Sequence, residues 1–320
     1  MQVRRITHGF AALLLGAALA ACAATDYGQP VLAFGSATHE GGRLVDAYGQ
    51  ERADANFALR RAVMAQRGDQ VVVRGADCRV GARPEDCVLR MGTARTQVGV
   101  GASTGRPAEL AGALSRYADS LSAVAAATTE ADFDTSMTGL SSALAGLAGA
   151  VPPAAGGARP ADSGTPIAQG LGGLGLQERR FLLLRRAINA ADPAVQQAAT
   201  ELAAVVAGQH EAAADDRAAL IARLAALYNA MEPQGGVQGA AAAANRDALL
   251  ARIAELTSTQ RRLLSDDPAA ELRKLGEAHA TLRQGVNDPT PPIARITEEL
   301  KQLSDRLRRA ADAAMRLPLG

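Results

Sequence analysis

A chain of 320 residues can hold one large domain or two ordinary ones, and a formal net charge of +1 gives no electrostatic case for nucleic acid. Aromatic residues make up only 3% and Trp is absent, which removes the ring faces that base- and sugar-stacking surfaces need and the girdles of a transmembrane barrel. Alanine dominates the apolar fraction and favours helix on propensity alone.

Arg4 and Arg5 give the amino end a positive charge, Phe10 to Ala21 is apolar, and Leu19-Ala20-Ala21-Cys22 closes the run. This is the pattern of a secretory signal over residues 1–21. The run is too short to span a bilayer, which takes about 20 apolar residues. The four closing residues resemble the lipobox of bacterial lipoproteins, and the resemblance covers the leader alone. It implies that the Cys22 thiol receives a diacylglyceryl group, that the leader is cut before Cys22, and that the new amine is acylated, so that palmitate is incorporated. Several chains make a firm anchor, since each buried methylene contributes about 0.8 kcal/mol. Ala23 follows where an Asp would favour the inner membrane, so the resemblance implies an outer-membrane anchor in the cell envelope, with the domain facing mainly the periplasm. An ordinary cleaved signal with a chance cysteine is the plainer alternative.

Residues 22–44 are small and polar, contain Pro30, and are expected to form a lipidated tether. Residues 45–105 are expected to form a small α+β subdomain. Its helix runs from about Val45 to Arg67, with Phe57, Arg60, Arg61 and Met64 at helical spacing and a stop at Gly68-Asp69. Val71-Val72-Val73 and Cys87 to Met91 read as strands, separated by the turn formers Gly75, Gly81 and Pro84. Of the three cysteines, Cys78 and Cys87 remain as an even pair once Cys22 carries lipid. In an exported chain such a pair forms a structural disulfide, here pinning a β-hairpin.

Helices then take over. Leu110, Leu114, Tyr117, Leu121 and Val124 recur at spacings of four and three, and so do Phe133, Met137, Leu140, Leu144, Leu147 and Val151. That alternation marks a packed helix pair, and the short connection at Thr128-Thr129 makes 106–151 a helical hairpin. Prolines and glycines from Pro152 onward make 152–169 a linker. Residues 170–320 read as a bundle of long helices. Asp192-Pro193 is expected to cap a new helix start, as is Asp267-Pro268. Leu249, Ile253, Leu256 and Leu263, then Leu272, Leu275, His279, Leu282 and Val286, then Ile293, Ile296, Leu300, Leu303 and Leu307 carry the apolar seams.

The motifs that could carry chemistry are weak. Gly101-Ala102-Ser103-Thr104-Gly105 matches the G-x-S-x-G nucleophile elbow, but no buried strand precedes it, and His210 and His279 lie on predicted helices rather than loops. A glycine-rich turn accounts for it. Gly170-Leu171-Gly172-Gly173-Leu174-Gly175 matches G-x-G-x-x-G, yet a proline-rich linker stands where the dinucleotide fingerprint needs a strand. His210-Glu211 opens an H-E-x-x-H that Ala214 breaks. His279 sits on an apolar seam and reads as a satisfied core histidine, and His39 is too remote to pair by inspection.

The sequence therefore predicts a mainly α fold: long amphipathic helices in an antiparallel, coiled-coil-like bundle, with a small disulfide-pinned β-hairpin near the amino end. The expected function is a non-catalytic, outer-membrane-anchored scaffold that binds an envelope protein or itself through helix seams. No catalytic residue, cofactor or metal ligand is expected. An accessory subunit of a trans-envelope secretion or efflux assembly is a second reading, and an envelope hydrolase using Ser103 a third.

Overall fold

The computed structural model of the chain describes residues 27–67, 71–73, 89–91, 94–96, 105–151, 167–231 and 236–315. These residues are mainly helical. Helix α1 is Gly28–Arg67, α2 Arg106–Ala126, α3 Glu130–Ala150, α4 Leu176–Ala230, α5 Gly236–Leu263, α6 Pro268–Asn287 and α7 Ile293–Met315. Strands β1 (Val71–Val73), β2 (Leu89–Met91) and β3 (Ala94–Thr96) pair antiparallel in that order, with Val73 opposite Leu89 and Met91 opposite Ala94. Strand β3 was not expected from the sequence. Cys22, Cys78 and Cys87 lie outside the described residues, and with them the expected lipidation and the expected disulfide.

The chain divides into two compact units. Among the described residues, unit 1 comprises 27–43, 105–151, 167–203 and 270–309, and unit 2 comprises 44–67, the three strands, 204–231, 236–269 and 310–315.

In unit 1 the four-and-three spacing becomes a core. Leu110, Leu114, Tyr117, Leu121 and Val124 of α2 are buried, and so are Leu272, Leu275, His279, Leu282 and Val286 of α6, and Ile296, Leu300, Leu303 and Leu307 of α7. Fully burying each large apolar side chain contributes about 1.5–3 kcal/mol, so these stripes, rather than helix propensity, hold the unit together. Pro107 and Glu109 in the first turn of α2 suit a helix start, where an amide proton is dispensable and the dipole favours negative charge. The Thr129 side chain accepts a hydrogen bond from the Asp132 amide at 3.1 Å and caps α3. The connection through Ala127–Thr129 brings α3 back against α2, burying Phe133, Leu140 and Leu147.

In unit 2, Ala58 of α1, Leu220 of α4 and Leu256 of α5 form a small cluster, with Leu59, Ala62, Ile221 and Leu224 partly buried against it. Tyr48 and Leu263 are also buried in this unit, whereas Leu250 stays 46% exposed.

Two expectations are corrected. Residues 28–44 of the expected tether are helix, the first stretch of the 40-residue α1. Val31 and Phe34 there are fully buried, so packing overrides the glycines. Gly35 lies so close to α2 that an added Cβ would meet Ser122 Oγ at 3.3 Å, which makes a small residue an asset at that crossing. The helix expected from about Val45 to Arg67 is present; its buried face is Val45, Tyr48, Glu51, Ala55 and Ala58, and Arg60 and Arg61 are exposed. Second, Asp192-Pro193 starts no helix: Pro193 lies inside the 55-residue α4. Proline there forfeits one backbone hydrogen bond, and the side chain before it is spent on a different task.

Candidate functional site

Each unit contains one buried polar cluster, and the two differ in how well their hydrogen-bonding groups are satisfied. In unit 1 the cluster centres on His279, which α6 places on its apolar stripe between Leu275 and Leu282. The Nε2 of His279 lies 3.0 Å from the Tyr117 hydroxyl of α2, and its Nδ1 lies 3.0 Å from Asp192 Oδ1 of α4. An ionised carboxylate only accepts, so Nδ1 carries the proton and Nε2 accepts from Tyr117. The other Asp192 oxygen accepts from Arg283 at 3.0 Å. Gln196, one turn along α4, donates to the Gly276 carbonyl of α6 at 2.6 Å. The Phe34 ring of α1 sits 5.2 Å from the imidazole, tilted by 58°.

The charge states follow from the surroundings. Burial pushes the His279 pKa below its usual value, more than the Asp192 hydrogen bond and charge pull it back up. The His279 hydrogen bond holds Asp192 below the ordinary carboxylate range against its own burial, with Gln196 and Arg283 helping. Burial, then the Asp192 charge, drives the Tyr117 hydroxyl well up. Tyrosine is protonated, imidazole neutral and carboxylate ionised.

A hydroxyl, an imidazole and a carboxylate in series share the connectivity of an activated nucleophile. Tyr117 and His279 are nevertheless 0% exposed, and the hydroxyl is moved away from ionisation, not toward it. The arrangement is suited to keying helices: one imidazole fixes the register of α2, α4 and α6 and is covered by α1.

In unit 2, Arg217 Nη2 of α4 donates to Glu51 Oε1 of α1 at 3.1 Å, with both side chains essentially inaccessible. This pair is incompletely satisfied. Glu51 Oε2 and Arg217 Nε and Nη1 are buried without a hydrogen-bond partner. Burial raises the Glu51 pKa to about 7 against the pull of Arg217, and burial lowers that of Arg217. Nearby, the His210 ring meets Tyr48 edge-on at 5.5 Å, with its Nδ1 unpartnered and its pKa lowered by burial.

Of the residues singled out from the sequence, Ser103 and the three cysteines lie outside the described residues. His39 is half exposed and pairs with Asp119 at 2.8 Å. His279 occupies the core position that its seam spacing suggested. Asp192, Glu51 and Arg217 were not recognised as interior groups. A signal existed: Glu51 falls in the helical series Tyr48, Glu51, Ala55, Ala58, and Arg217 in the series Val206, Ala213, Arg217, Leu220, each a charge at an apolar position.

A groove of about 200 Å³ between α6 and α7 is lined by Lys274, Glu277, Thr281, Leu300, Leu303 and Arg306, below the roughly 300 Å³ at which small-molecule pockets begin. Among the described residues no group of His, Cys, Asp and Glu could hold a metal ion, and no helix is long and apolar enough to cross a membrane. No family model matches the chain, and no curated protein or solved structure is similar to it.

Proposed function

We propose that the protein is a lipid-anchored, non-catalytic helical scaffold of the bacterial cell envelope, held in the outer membrane through Cys22 and binding an envelope protein or a second copy of itself. The observation that carries this reading is Leu19-Ala20-Ala21-Cys22 behind a basic and apolar leader. The buried clusters are consistent with it. The groups best suited to chemistry, Tyr117, His279 and Asp192, are used between helices, out of reach of a substrate. Mechanistically, acylation confines the helices to a plane and raises their effective concentration for a partner, which can dock on helix seams left uncovered.

The finer architecture belongs to the same proposal: a coiled-coil-like antiparallel bundle, and a Cys78–Cys87 disulfide that pins the β1–β2 connection. Its support is the antiparallel pairing of Val73 with Leu89, which puts both cysteines within one connecting segment. Mass analysis of the mature protein after alkylation without reductant should show both thiols protected, and free thiols would remove the disulfide.

Growth with labelled palmitate tests the anchor. Wild-type protein should incorporate label, and Cys22→Ser should abolish it. An unlabelled wild type would end the lipoprotein reading. In-cell crosslinking then tests the scaffold: recovery of a defined envelope partner or a homo-oligomer is expected, and a monomer with no partner would overturn it.

A further inference from the structure

Tyr27 is the first residue before α1, and it is firmly held. It is 1% exposed, its ring lies 5.7 Å from Phe181 of α4, and its carbonyl accepts from the Val31 amide at 3.2 Å to begin the helix. The Asp288 carboxylate, just past the end of α6, adds to burial in raising the Tyr27 hydroxyl pKa. The chain is therefore anchored in unit 1 from residue 27 onward. Cys22 is five residues earlier, and even fully extended chain covers about 18 Å over that separation. A tether running to residue 44 would have reached about 75 Å and left the domain free to turn. A tether that ends at Tyr27 does not.

Tyr27 lies at one end of unit 1: a Cβ added to Gly285, near the end of α6, would meet both Ile296, in the first turn of α7, and the Tyr27 hydroxyl. Among the described residues α1 begins there, α6 ends, and the 288–292 connection leads into α7. Asp288, Pro289 and Thr290 are exposed in that connection, and Leu32, in the second turn of α1, is 48% exposed.

We propose that the lipid on Cys22 seats this end of unit 1 on the bilayer that carries it, so that the 288–292 connection faces phospholipid headgroups. The inference rests on the lipoprotein reading above and adds to it the face that meets the membrane. Residues at the opposite end of unit 1 stay out of range. Glu109, in the first turn of α2, marks that end, because α2 finishes beside the start of α3, where Glu130 pairs with Arg179 near Phe181. A helix of 21 residues then puts its start about 30 Å away.

The chain has no tryptophan, so one introduced indole is a clean donor. Full-length lipidated T290W, A294W and E109W are reconstituted into phosphatidylethanolamine and phosphatidylglycerol vesicles that contain a little dansyl-headgroup lipid. Energy transfer should be several-fold stronger from T290W and A294W than from E109W. Insertion of ten Gly and Ser residues between Asp26 and Tyr27 should bring T290W and A294W down toward the E109W level. Equal transfer from both ends, or no response to the insertion, would overturn the membrane-facing assignment while palmitate labelling still upheld the anchor. Absence of palmitate from the wild type would remove both.

Discussion

Tyr117→Phe takes the hydroxyl donor from His279 Nε2 and leaves that nitrogen buried and unpaired. An unsatisfied buried acceptor costs about 1–3 kcal/mol, so the urea midpoint should fall accordingly with the slope unchanged. The Glu51–Arg217 pair behaves differently, because it is already short of partners. Arg217→Met alone strands a buried carboxylate and should destabilise by about 3–5 kcal/mol, whereas Glu51→Leu with Arg217→Met should recover most of that loss or exceed the wild type. Guanidinium unfolding of the two variants decides the matter: a double variant as weak as the single one would show that the pair is itself stabilising. His279 was legible in the sequence because it falls in the apolar series Leu272, Leu275, Leu282 and Val286 at spacings of three and four. Its partners were not, since Tyr117 belongs to a helix 162 positions away and nothing local links them.

At the scale of elements, α2, α6 and α7 begin close to where their sequences say. Each start has a proline in its first turn or just before it, and each has a stripe of large apolar residues too regular to bury as anything but helix. The start of α1 and the middle of α4 were misread for a common reason. Pro30 and Pro193 carry local signals against helix, and those signals are worth at most about 3 kcal/mol, less than the burial around them returns. Pro193→Ala should restore one backbone donor in α4 and raise the denaturation midpoint. A fall would show that the proline is needed to hold Asp192 toward His279. Gly276→Ala should do the opposite. A Cβ there would meet Gln196 Oε1 at 2.6 Å, so it displaces the side chain that bonds the Gly276 carbonyl, and thermal melting should register a loss of about 1–3 kcal/mol.

For the whole molecule, Glu51 in unit 2 and His279 in unit 1 respond to acid in opposite directions, while His210 in unit 2, also depressed by burial, acts as His279 does. Glu51 has a folded pKa of about 7, above its unfolded value, so its contribution is full below the unfolded value and is lost as pH rises through about 7. His279 is depressed, so its contribution is present above the usual imidazole value and fades as pH falls below it, and Asp192 loses its own contribution at still lower pH. Between pH 7.5 and 5.5, hydrogen exchange of a His210→Asn variant, which removes the opposing imidazole, should show protection after correction for intrinsic rates rising over 206–224 in unit 2 and falling over 272–286 in unit 1. Parallel changes in both segments would contradict this assignment of the buried charges.

What the sequence determined by itself was whatever depends on neighbours three or four residues apart. Helical content and the stripes of α2, α6 and α7 are local patterns. The tertiary structure decided what depends on contacts between distant segments. It closed Tyr117, Asp192 and His279 into one buried chain and set Arg217 against Glu51. It also docked Tyr27 on Phe181, inside the stretch that the sequence suggested as a tether. Propensity is a small energy per residue, and burial of a large side chain is several times larger, so packing has the final word where the two disagree.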